Sequence, residues 1–312
     1  MRKAVEITSK MNPRVKQLVK LRNGRKRRAA EVVLAEGVRE VSRAVIAGME
    51  LRELYVCSAI TERNEVVDRA VKELVRTECE GDDEKRGAML FEVNEEVMEK
   101  ICYLDSPEGV LGIFESPNWG LDKFNRMLKG GMLEEGDDIT ASGGFGDEKK
   151  VLLVVVQMEK PGNVGAMVRT AAAAGIDGVV AANTAEYPVD VFHPNAIRTS
   201  TAAVFDLPTV SVDEEEVVEW LVRNKIKILA ATPAGAVDYR EADYCEGLAG
   251  GGGVAIVIGP EDRGLSKMWL DATDKNGGQR VVIPNQSKIV DSLNASNAAA
   301  VLMFEAMRQR GM

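Results

Sequence analysis

The sequence of 312 residues predicts an α/β protein of two domains, the second of which is built on a parallel sheet. Strand-like and helix-like segments alternate along both halves of the chain. Two apolar runs, V-L-L-V-V-V from Val151 and V-A-I-V-I from Val254, lack the alternation of half-exposed strands and are typical of strands covered on both faces. Between the halves lies a stretch rich in glycine and acid, which we expect to be a flexible linker or insertion. The expected ranges are 1–116 for the first domain, 117–150 for the linker and 151–312 for the second domain.

Apolar periodicity predicts the elements of the first domain, which we expect to be a small α/β unit. The segment from Asn12 to Arg28 is expected to form a docked helix, with Val15, Leu18 and Val19 on its apolar face. After it we expect a strand at 32–34, a helix at 36–48, a strand at 53–58, a helix at 64–76, a strand at 89–93, a helix at 95–101 and a strand at 110–115. A further short helix near 121–128 falls inside the linker.

The second domain repeats the same alternation. In chain order we expect a strand at 151–157, a helix at 164–174, a strand at 178–182, a strand near 203–206, a helix at 213–224, strands at 226–231, 254–258 and 280–283, and a last helix at 294–310. Such an order of strands and helices favours a sheet with helices on both sides.

The composition indicates a globular protein with an intracellular, most simply cytoplasmic, location, although an organelle is left open. Hydrophobic residues make up 45% and charged residues 29% of the chain, and no apolar run is long enough to cross a membrane. The four cysteines form no C-x-x-C pair and the single His193 cannot complete a metal set with them, so we expect reduced, mostly buried thiols and no metal.

The charge is distributed unevenly, and this points to an RNA partner. The whole chain has a formal charge of −9, yet residues 1–28 hold eleven lysines and arginines against the single acid Glu6. Such a block can neutralise several phosphates, although a solvated basic helix without a partner would look the same. The candidate RNA-binding residues are Arg14, Lys16, Lys20, Arg25, Lys26, Arg27 and Arg28.

Three strand-to-helix junctions in the second half carry candidate site residues. The first runs from Gln157 to Thr170, where we expect Asn163 to cap the helix and Arg169 to reach back over Gly165 toward a phosphate or a ribose. The other two are V-A-I-V-I-G-P-E-D-R-G-L-S, which starts at Val254, and V-V-I-P-N-Q-S-K-I-V-D-S-L-N-A-S-N-A-A-A, which starts at Val281. Each of them alone is also an ordinary turn or helix cap.

Taken together and in this order, the three segments resemble motifs one, two and three of the SpoU (TrmH-like) family of RNA 2′-O-ribose methyltransferases in the SPOUT superfamily. The resemblance covers about residues 151–312. Near the N-terminus, S-K-M-N-P-R-V-K, E-G-V-R-E-V and E-G-V-L-G-I-F look like the substrate-binding domain that often precedes it. The segment from His193 to Pro208 is similar to a family segment that usually has glycine where this chain has Ala202. Motif three departs from the family pattern at Asn285-Gln286-Ser287.

The resemblance implies a trefoil-knotted domain that binds S-adenosylmethionine, and a homodimer formed through that domain. It implies transfer of a methyl group to a ribose 2′-hydroxyl of structured RNA, ribosomal RNA first and transfer RNA as the alternative. Cofactor contacts would come from Gly259, Ile283, Ser292, Leu293 and Asn294. The catalytic set would be Arg169, which orients the ribose and stabilises the developing alkoxide, with Asn163, Glu261 and Ser296.

Two rival hypotheses follow from the same residues. One is an RNA-binding module whose methyltransferase site has decayed, which the altered motif three favours and the intact site residues oppose. The other is an unrelated nucleotide-dependent α/β enzyme, which the lack of a G-x-G-x-x-G fingerprint and of a Walker loop disfavours. His193 could serve as a base, but the adjoining Pro194 suggests a structural role.

Overall fold

The computed structural model describes residues 4–79, 87–117, 119–129, 149–248, 252–287, 289 and 292–311. The chain divides into two compact units: the first comprises Met1–Asn118 and Phe192–Asp206, and the second comprises Trp119–Val191 and Leu207–Met312. Most of the stretch expected to be a flexible linker, residues 130–148, lies outside the described residues.

The first unit is built on a mixed sheet. Its strands are β1 (Val5–Ile7), β2 (Val32–Glu36), β3 (Leu51–Val56), β4 (Met89–Val93) and β5 (Val110–Glu115). In the sheet order β1-β4-β3-β5-β2, strand β4 pairs in parallel with β1 and β3, while β5 runs antiparallel to β2 and β3. Strands β2 to β5 confirm the predicted strands, whereas β1 was not predicted, because three residues with one buried side chain show no period.

The helices of this unit pack against the sheet, and most basic residues of its first two helices are exposed. The first six in chain order are α1 (Pro13–Lys20), α2 (Gly24–Ala29), α3 (Val38–Ile46), α4 (Ser58–Thr61), α5 (Glu65–Glu78) and α6 (Glu95–Ile101). The single helix predicted over residues 12–28 is wrong, because the chain turns between α1 and α2. Each helix begins at an asparagine whose side chain accepts a backbone N–H, Asn12 for α1 and Asn23 for α2. Val15 and Leu18 are buried, as predicted.

The second unit is built on a seven-stranded sheet in which every neighbouring pair is parallel. Its strands are β6 (Lys150–Val156), β7 (Gly178–Asn183), β8 (Thr209–Asp213), β9 (Lys227–Ala231), β10 (Val237–Asp238), β11 (Gly253–Ile258) and β12 (Gln279–Val282). Their order is β10-β12-β9-β11-β6-β7-β8. The residues of β11 are all buried and those of β6 nearly all, so the predicted parallel sheet covered on both faces is confirmed. Strands β8 and β10 were not predicted.

The remaining helices are α7 (Leu121–Leu128), α8 (Pro161–Ala174), α9 (Pro194–Thr199), α10 (Glu214–Arg223), α11 (Lys267–Lys275) and α12 (Ala295–Gln309). All but α9 belong to the second unit. Helices α8 and α12 pack against each other; α8 follows β6 in the chain and α12 follows β12. The predicted helices at 164–174, 213–224 and 294–310 are confirmed, and α11 is additional.

Helix α7, predicted as part of the linker, is a packed part of the second unit. Phe124 is fully buried and meets Trp220 edge-on with ring centroids 5.8 Å apart, while the Trp220 indole N–H donates to Asn125 at 3.1 Å. Gly178 permits this approach, since a Cβ there would lie 2.7 Å from the Phe124 ring. The compact unit therefore begins upstream of residue 151.

Residues 192–206 belong to the first unit although they follow motif one in sequence. His193 begins α9, where its Nδ1 accepts the backbone N–H of Asn195 at 3.1 Å, so the structural role predicted for it is confirmed. The strand predicted near 203–206 is wrong, since Ala203–Phe205 forms a 3₁₀ helix. Thr201 and Ala202 precede it with φ of 53° and 65°, a left-handed backbone that glycine adopts most easily.

The cysteines are mostly buried, as predicted. Cys57, Cys79 and Cys102 are buried and Cys245 is partly exposed. Burial raises the pKa of Cys57 and Cys102, so both thiols stay protonated at neutral pH. No helix among the described residues has the length and apolar character needed to cross a membrane.

Candidate active site

The three sequence motifs converge at one edge of the seven-stranded sheet. Strands β6 and β11 are parallel neighbours and β12 runs parallel to them, so all three end at the same edge. Asn163 follows β6, Glu261 follows β11, and Asn294 follows β12. The carboxyl edge of a parallel sheet is where α/β proteins bind ligands, and these three side chains meet there.

Glu261 is the centre of this network. Its Oε1 accepts hydrogen bonds from Asn163 Nδ2 at 3.1 Å, from Asn294 Nδ2 at 2.7 Å and from the backbone N–H of Ala295 at 3.0 Å. Its Oε2 accepts one from Lys160 Nζ at 3.0 Å. One carboxylate thus joins the loop after β11, the start of α8 and the start of α12.

The donors around Glu261 favour its charged form. The backbone N–H of Ala295 lowers the pKa of Glu261 most, followed by the hydrogen bond from Lys160, so the carboxylate is ionised at neutral pH.

Among the described residues, no three His, Cys, Asp or Glu side chains lie where they could hold a metal ion.

Asn163 does not cap its helix, contrary to the prediction. Helix α8 begins one turn earlier with Pro161 at its first position, which fixes φ and needs no N–H partner. Asn163 therefore lies in the first turn, and its side chain is free to bind Glu261. Asn294 is the residue that caps a helix: its Oδ1 accepts the backbone N–H of Ser296 at 3.0 Å and the Ser296 hydroxyl at 2.6 Å.

The turn after β11 requires glycine at position 259. A Cβ on Gly259 would lie 2.9 Å from the carbonyl carbon of Gly264 and from the nitrogen of Leu265, because the turn folds back on the strand end. This position therefore presents only backbone atoms at the edge of the sheet.

The other expected cofactor residues lie at the same edge. Ile283 follows β12 directly and is half-buried, while Ser292 and Asn294 are exposed and Leu293 is 47% exposed. Backbone amides beside apolar side chains suit a neutral heterocycle such as the adenine of S-adenosylmethionine, so this donor set fits the cofactor that the resemblance implies.

Arg169 makes no hydrogen bond to the Glu261 network within the described residues. It is exposed on α8, one turn after the buried Gly165, and no hydrogen bond or ion pair of its guanidinium is found within the described part of the chain. A cation that is not engaged in an ion pair can bind an anionic ligand without first breaking a contact.

Sequence reasoning missed two members of this edge. Lys160 forms an ion pair with Glu261. In the sequence, only its position directly before Pro161 of motif one could have indicated that it belongs to the site. Arg263 stacks on the Tyr187 ring, 3.7 Å from its centroid, and its Nη2 donates to Glu159 at 2.9 Å. The letters E-D-R-G of motif two contain this arginine, but nothing local predicts its aromatic partner.

The expected RNA-binding residues differ in exposure. Lys16, Lys20, Arg25, Lys26 and Arg28 are exposed, and Arg14 is half-buried beside Glu53 and Tyr55. Arg27 is a correction, because it is only 3% exposed and donates to the backbone carbonyls of Leu21 and Arg22 at 2.8 Å each. Its guanidinium therefore holds the turn between α1 and α2.

Known proteins match both halves of this chain. Residues 150–304 match the model of the SpoU rRNA methylase family, and residues 12–112 match that of the MRM3-like substrate-binding domain. A 23S rRNA (uridine(2479)-2′-O)-methyltransferase of Streptomyces viridochromogenes is 28% identical over 93% of this chain and 87% of its own length.

Solved structures match over nearly the whole length. A crystal structure of an RNA 2′-O ribose methyltransferase superposes with a TM-score of 0.72 at 33% identity, covering 99% of this chain and 100% of that chain. The SpoU methyltransferase AviRb of Streptomyces viridochromogenes, solved with its cofactor AdoMet, superposes with a TM-score of 0.75 at 27% identity over 96% of this chain and 98% of its own. With a convergent site at the sheet edge and relatives matched end to end, this chain belongs to the SpoU rRNA methylase family.

Proposed function

We propose that this protein transfers the methyl group of S-adenosylmethionine to a ribose 2′-hydroxyl of ribosomal RNA. The observation that carries the proposal is the network in which Glu261 joins Asn163 and Asn294, since it unites the three family motifs. Support also comes from relatives whose names give 23S ribosomal RNA as the substrate, uridine in one and guanosine in another.

The loops after β11 and β12 would hold the cofactor. Gly259 and Ile283 would contribute backbone groups, and Leu293 an apolar surface, while Ser292 and Asn294 fix the start of α12. When bound, S-adenosylmethionine supplies an electrophilic methyl group on its sulfonium. Because Glu261 is already bound by several donors, the loops are arranged before any ligand arrives, and little reorganisation opposes the reaction.

Arg169 is proposed to orient the ribose and to stabilise negative charge on its 2′-oxygen. A guanidinium stays protonated in proteins, so it cannot act as the base. We therefore propose that an oxygen of a neighbouring RNA phosphate relays the proton of the hydroxyl to solvent water. Asn163 and Ser296 are positioning residues in this scheme, because they act through Glu261 and Asn294.

The trefoil knot and the homodimer are further parts of the proposal. The dimer would form through the knotted domain, as the family resemblance implies. Phe304 on α12 is 54% exposed, so it is a large apolar side chain that contact with a second copy could bury. Light scattering should therefore give twice the mass of 33.9 kDa for the native chain and the single mass for Phe304→Asp.

A cytoplasmic location stays a prediction, supported by the bacterial sources of the rRNA-modifying relatives.

The proposal is tested by titrating the full chain with S-adenosylmethionine and then measuring transfer of a labelled methyl group to unmodified ribosomal RNA transcripts. We expect saturable binding and incorporation that depends on both protein and RNA. Binding without transfer to any RNA would contradict the proposed activity. Absence of binding at millimolar cofactor would leave the RNA-binding module as the better account.

A further inference from the structure

A pocket of about 360 Å³ opens on the first unit beside the basic helices. It is lined by residues of α1, by the end of α2 and by strands β2, β3 and β5. Pockets of a few hundred cubic ångströms bind small ligands in many proteins. No residue of the Glu261 network takes part in it, so it is separate from the methyl-transfer site.

The floor of the pocket is apolar. Leu18, Val32 and Ile113 line it, and each is at most 8% exposed. They come from a helix and two strands, so the floor is fixed by the core of the unit. A rigid apolar floor suits the face of a flat ring.

One wall offers a fixed hydrogen-bond acceptor. Glu53 lines the pocket, and its carboxylate is held by Arg14 and by the Tyr55 hydroxyl, which donates to Oε2 at 2.6 Å. An ionised carboxylate accepts only, and its oxygens have further lone pairs. A ring that enters the pocket would therefore present an amino group or a ring N–H to this wall.

The mouth of the pocket is cationic. Lys20 and Lys26 line it with exposed side chains, within the block where eleven cations face one acid. Such a rim is complementary to phosphates. An apolar floor, a fixed acceptor and a cationic rim together match a base that is still attached to its phosphates.

We propose that this pocket binds one unstacked nucleobase of the RNA, with Lys20 and Lys26 on its flanking phosphates. This inference rests on the proposed function in one respect, namely that the ligand of the protein is RNA. A captured base would fix the register of the RNA on the first unit, which phosphate contacts alone do not do.

The test compares two labelled probes on the full chain by fluorescence anisotropy: a random-sequence single-stranded RNA of twelve nucleotides, and an abasic ribose-phosphate strand of the same length. The native chain should bind the base-bearing strand about tenfold more tightly, because one face of the base is buried against the apolar floor. Ala30→Leu places a larger side chain into the pocket from an exposed position, and it should abolish the preference while leaving abasic binding unchanged.

Ala29→Leu is the matched control, because Ala29 is exposed on the same helix and does not line the pocket. It should keep the preference. Gln17→Leu, also exposed and at the pocket, provides a second filled variant should Ala30→Leu unfold, as judged by its melting curve. Equal binding of the two probes by the native chain, or a full preference in a folded filled variant, overturns the proposal. Methyl transfer is not the readout, so an inactive enzyme could still show the base preference.

Discussion

The two units handle charge in opposite ways. In the second unit, the polar groups at the sheet edge bind one another, and Glu261 alone accepts four hydrogen bonds. In the first unit, most basic residues of α1 and α2 point into solvent, with Lys16, Lys20 and Lys26 exposed. One unit has a site fixed by internal contacts, and the other has a surface whose cations can adjust to a ligand.

This difference follows from what each unit is proposed to do. Methyl transfer needs the reacting atoms held in alignment, which requires groups arranged in advance. Binding an RNA backbone needs positive charge over a wide surface, and such contacts tolerate motion of the side chains. Two residues are exceptions to this difference. Arg169 is an exposed cation in the second unit, and Arg27 is a buried cation in the first. Substitutions at both positions therefore test the comparison.

The largest expected effect is that of Arg169→Ala. If the guanidinium stabilises the developing negative charge, the turnover rate should fall by about a hundredfold or more, with cofactor affinity and melting temperature unchanged. Arg169→Lys should recover little, because an ammonium lacks the planar fork of donors. Single-turnover methyl transfer measures this.

Arg223→Ala is the matched control for Arg169, since Arg223 is exposed on α10 of the same unit. It should retain native turnover. Near-native turnover in Arg169→Lys would show that a positive charge alone suffices and would contradict the orienting role.

The next effect concerns stability in the first unit. Arg27→Ala leaves the carbonyls of Leu21 and Arg22 without their donor, and should lower the free energy of unfolding by about 2 kcal/mol. Its neighbour Arg28 is exposed, so Arg28→Ala should leave stability unchanged and reduce the salt dependence of RNA binding by about one phosphate contact. Urea unfolding and salt-dependent anisotropy separate the two. Unchanged stability in Arg27→Ala would contradict the conclusion that the buried Arg27 stabilises the fold while the exposed Arg28 does not.

A smaller and pH-dependent effect is expected for Glu261→Gln. The pKa of Glu261 is lowered in the folded chain, so its contribution to stability is present above the ordinary value of 4.5 and is lost as the pH falls through the lowered pKa. The variant should be less stable by about 1 kcal/mol at pH 7, since part of the charged hydrogen bonding is exposed. The two proteins should converge in urea unfolding once the pH lies below the lowered pKa of Glu261. A constant difference at all pH values would mean that the charge of Glu261 does not hold the network.

The smallest expected effect is a gain in the free energy of unfolding. Ala202 has a left-handed backbone with φ of 65°, so Ala202→Gly should relieve strain and stabilise the chain by up to about 1 kcal/mol. Ala203→Gly, in the 3₁₀ helix that follows, has no such strain and should destabilise it slightly. Thermal melts of the pair decide the sign. Loss of stability in both variants would show that the backbone at Ala202 is not strained.

The sequence predicted the parallel sheet well and the local turns less well. Strands such as β6 and β11 are uninterrupted apolar runs, so their burial could be read directly from the residues. The break between α1 and α2 was missed because Asn23 and Gly24 lie in a segment whose charge pattern continues on both sides. Ala203–Phe205 is apolar like a strand, yet the left-handed turn before it leads into a 3₁₀ helix.

The site was predictable as a set of residues but not as a network. Asn163, Glu261 and Asn294 came from motif positions, and the structure brings them within hydrogen-bond distance. That Glu261 is the centre could not be foreseen, because it depends on strand order in the sheet. The stacking of Arg263 on Tyr187 joins loops 76 residues apart, and local pattern carries no information at that range.

The most direct test of the central claim is where the transferred methyl group lies on the RNA. Ribosomal RNA labelled by this protein from radioactive S-adenosylmethionine would be hydrolysed in alkali, which cleaves only next to a free 2′-hydroxyl. We predict that the label appears in alkali-resistant dinucleotides and that Arg169→Ala forms these dinucleotides about a hundredfold or more slowly. Label recovered in mononucleotides would mean that a base is methylated, and would contradict the assignment of this protein as a ribose 2′-O-methyltransferase.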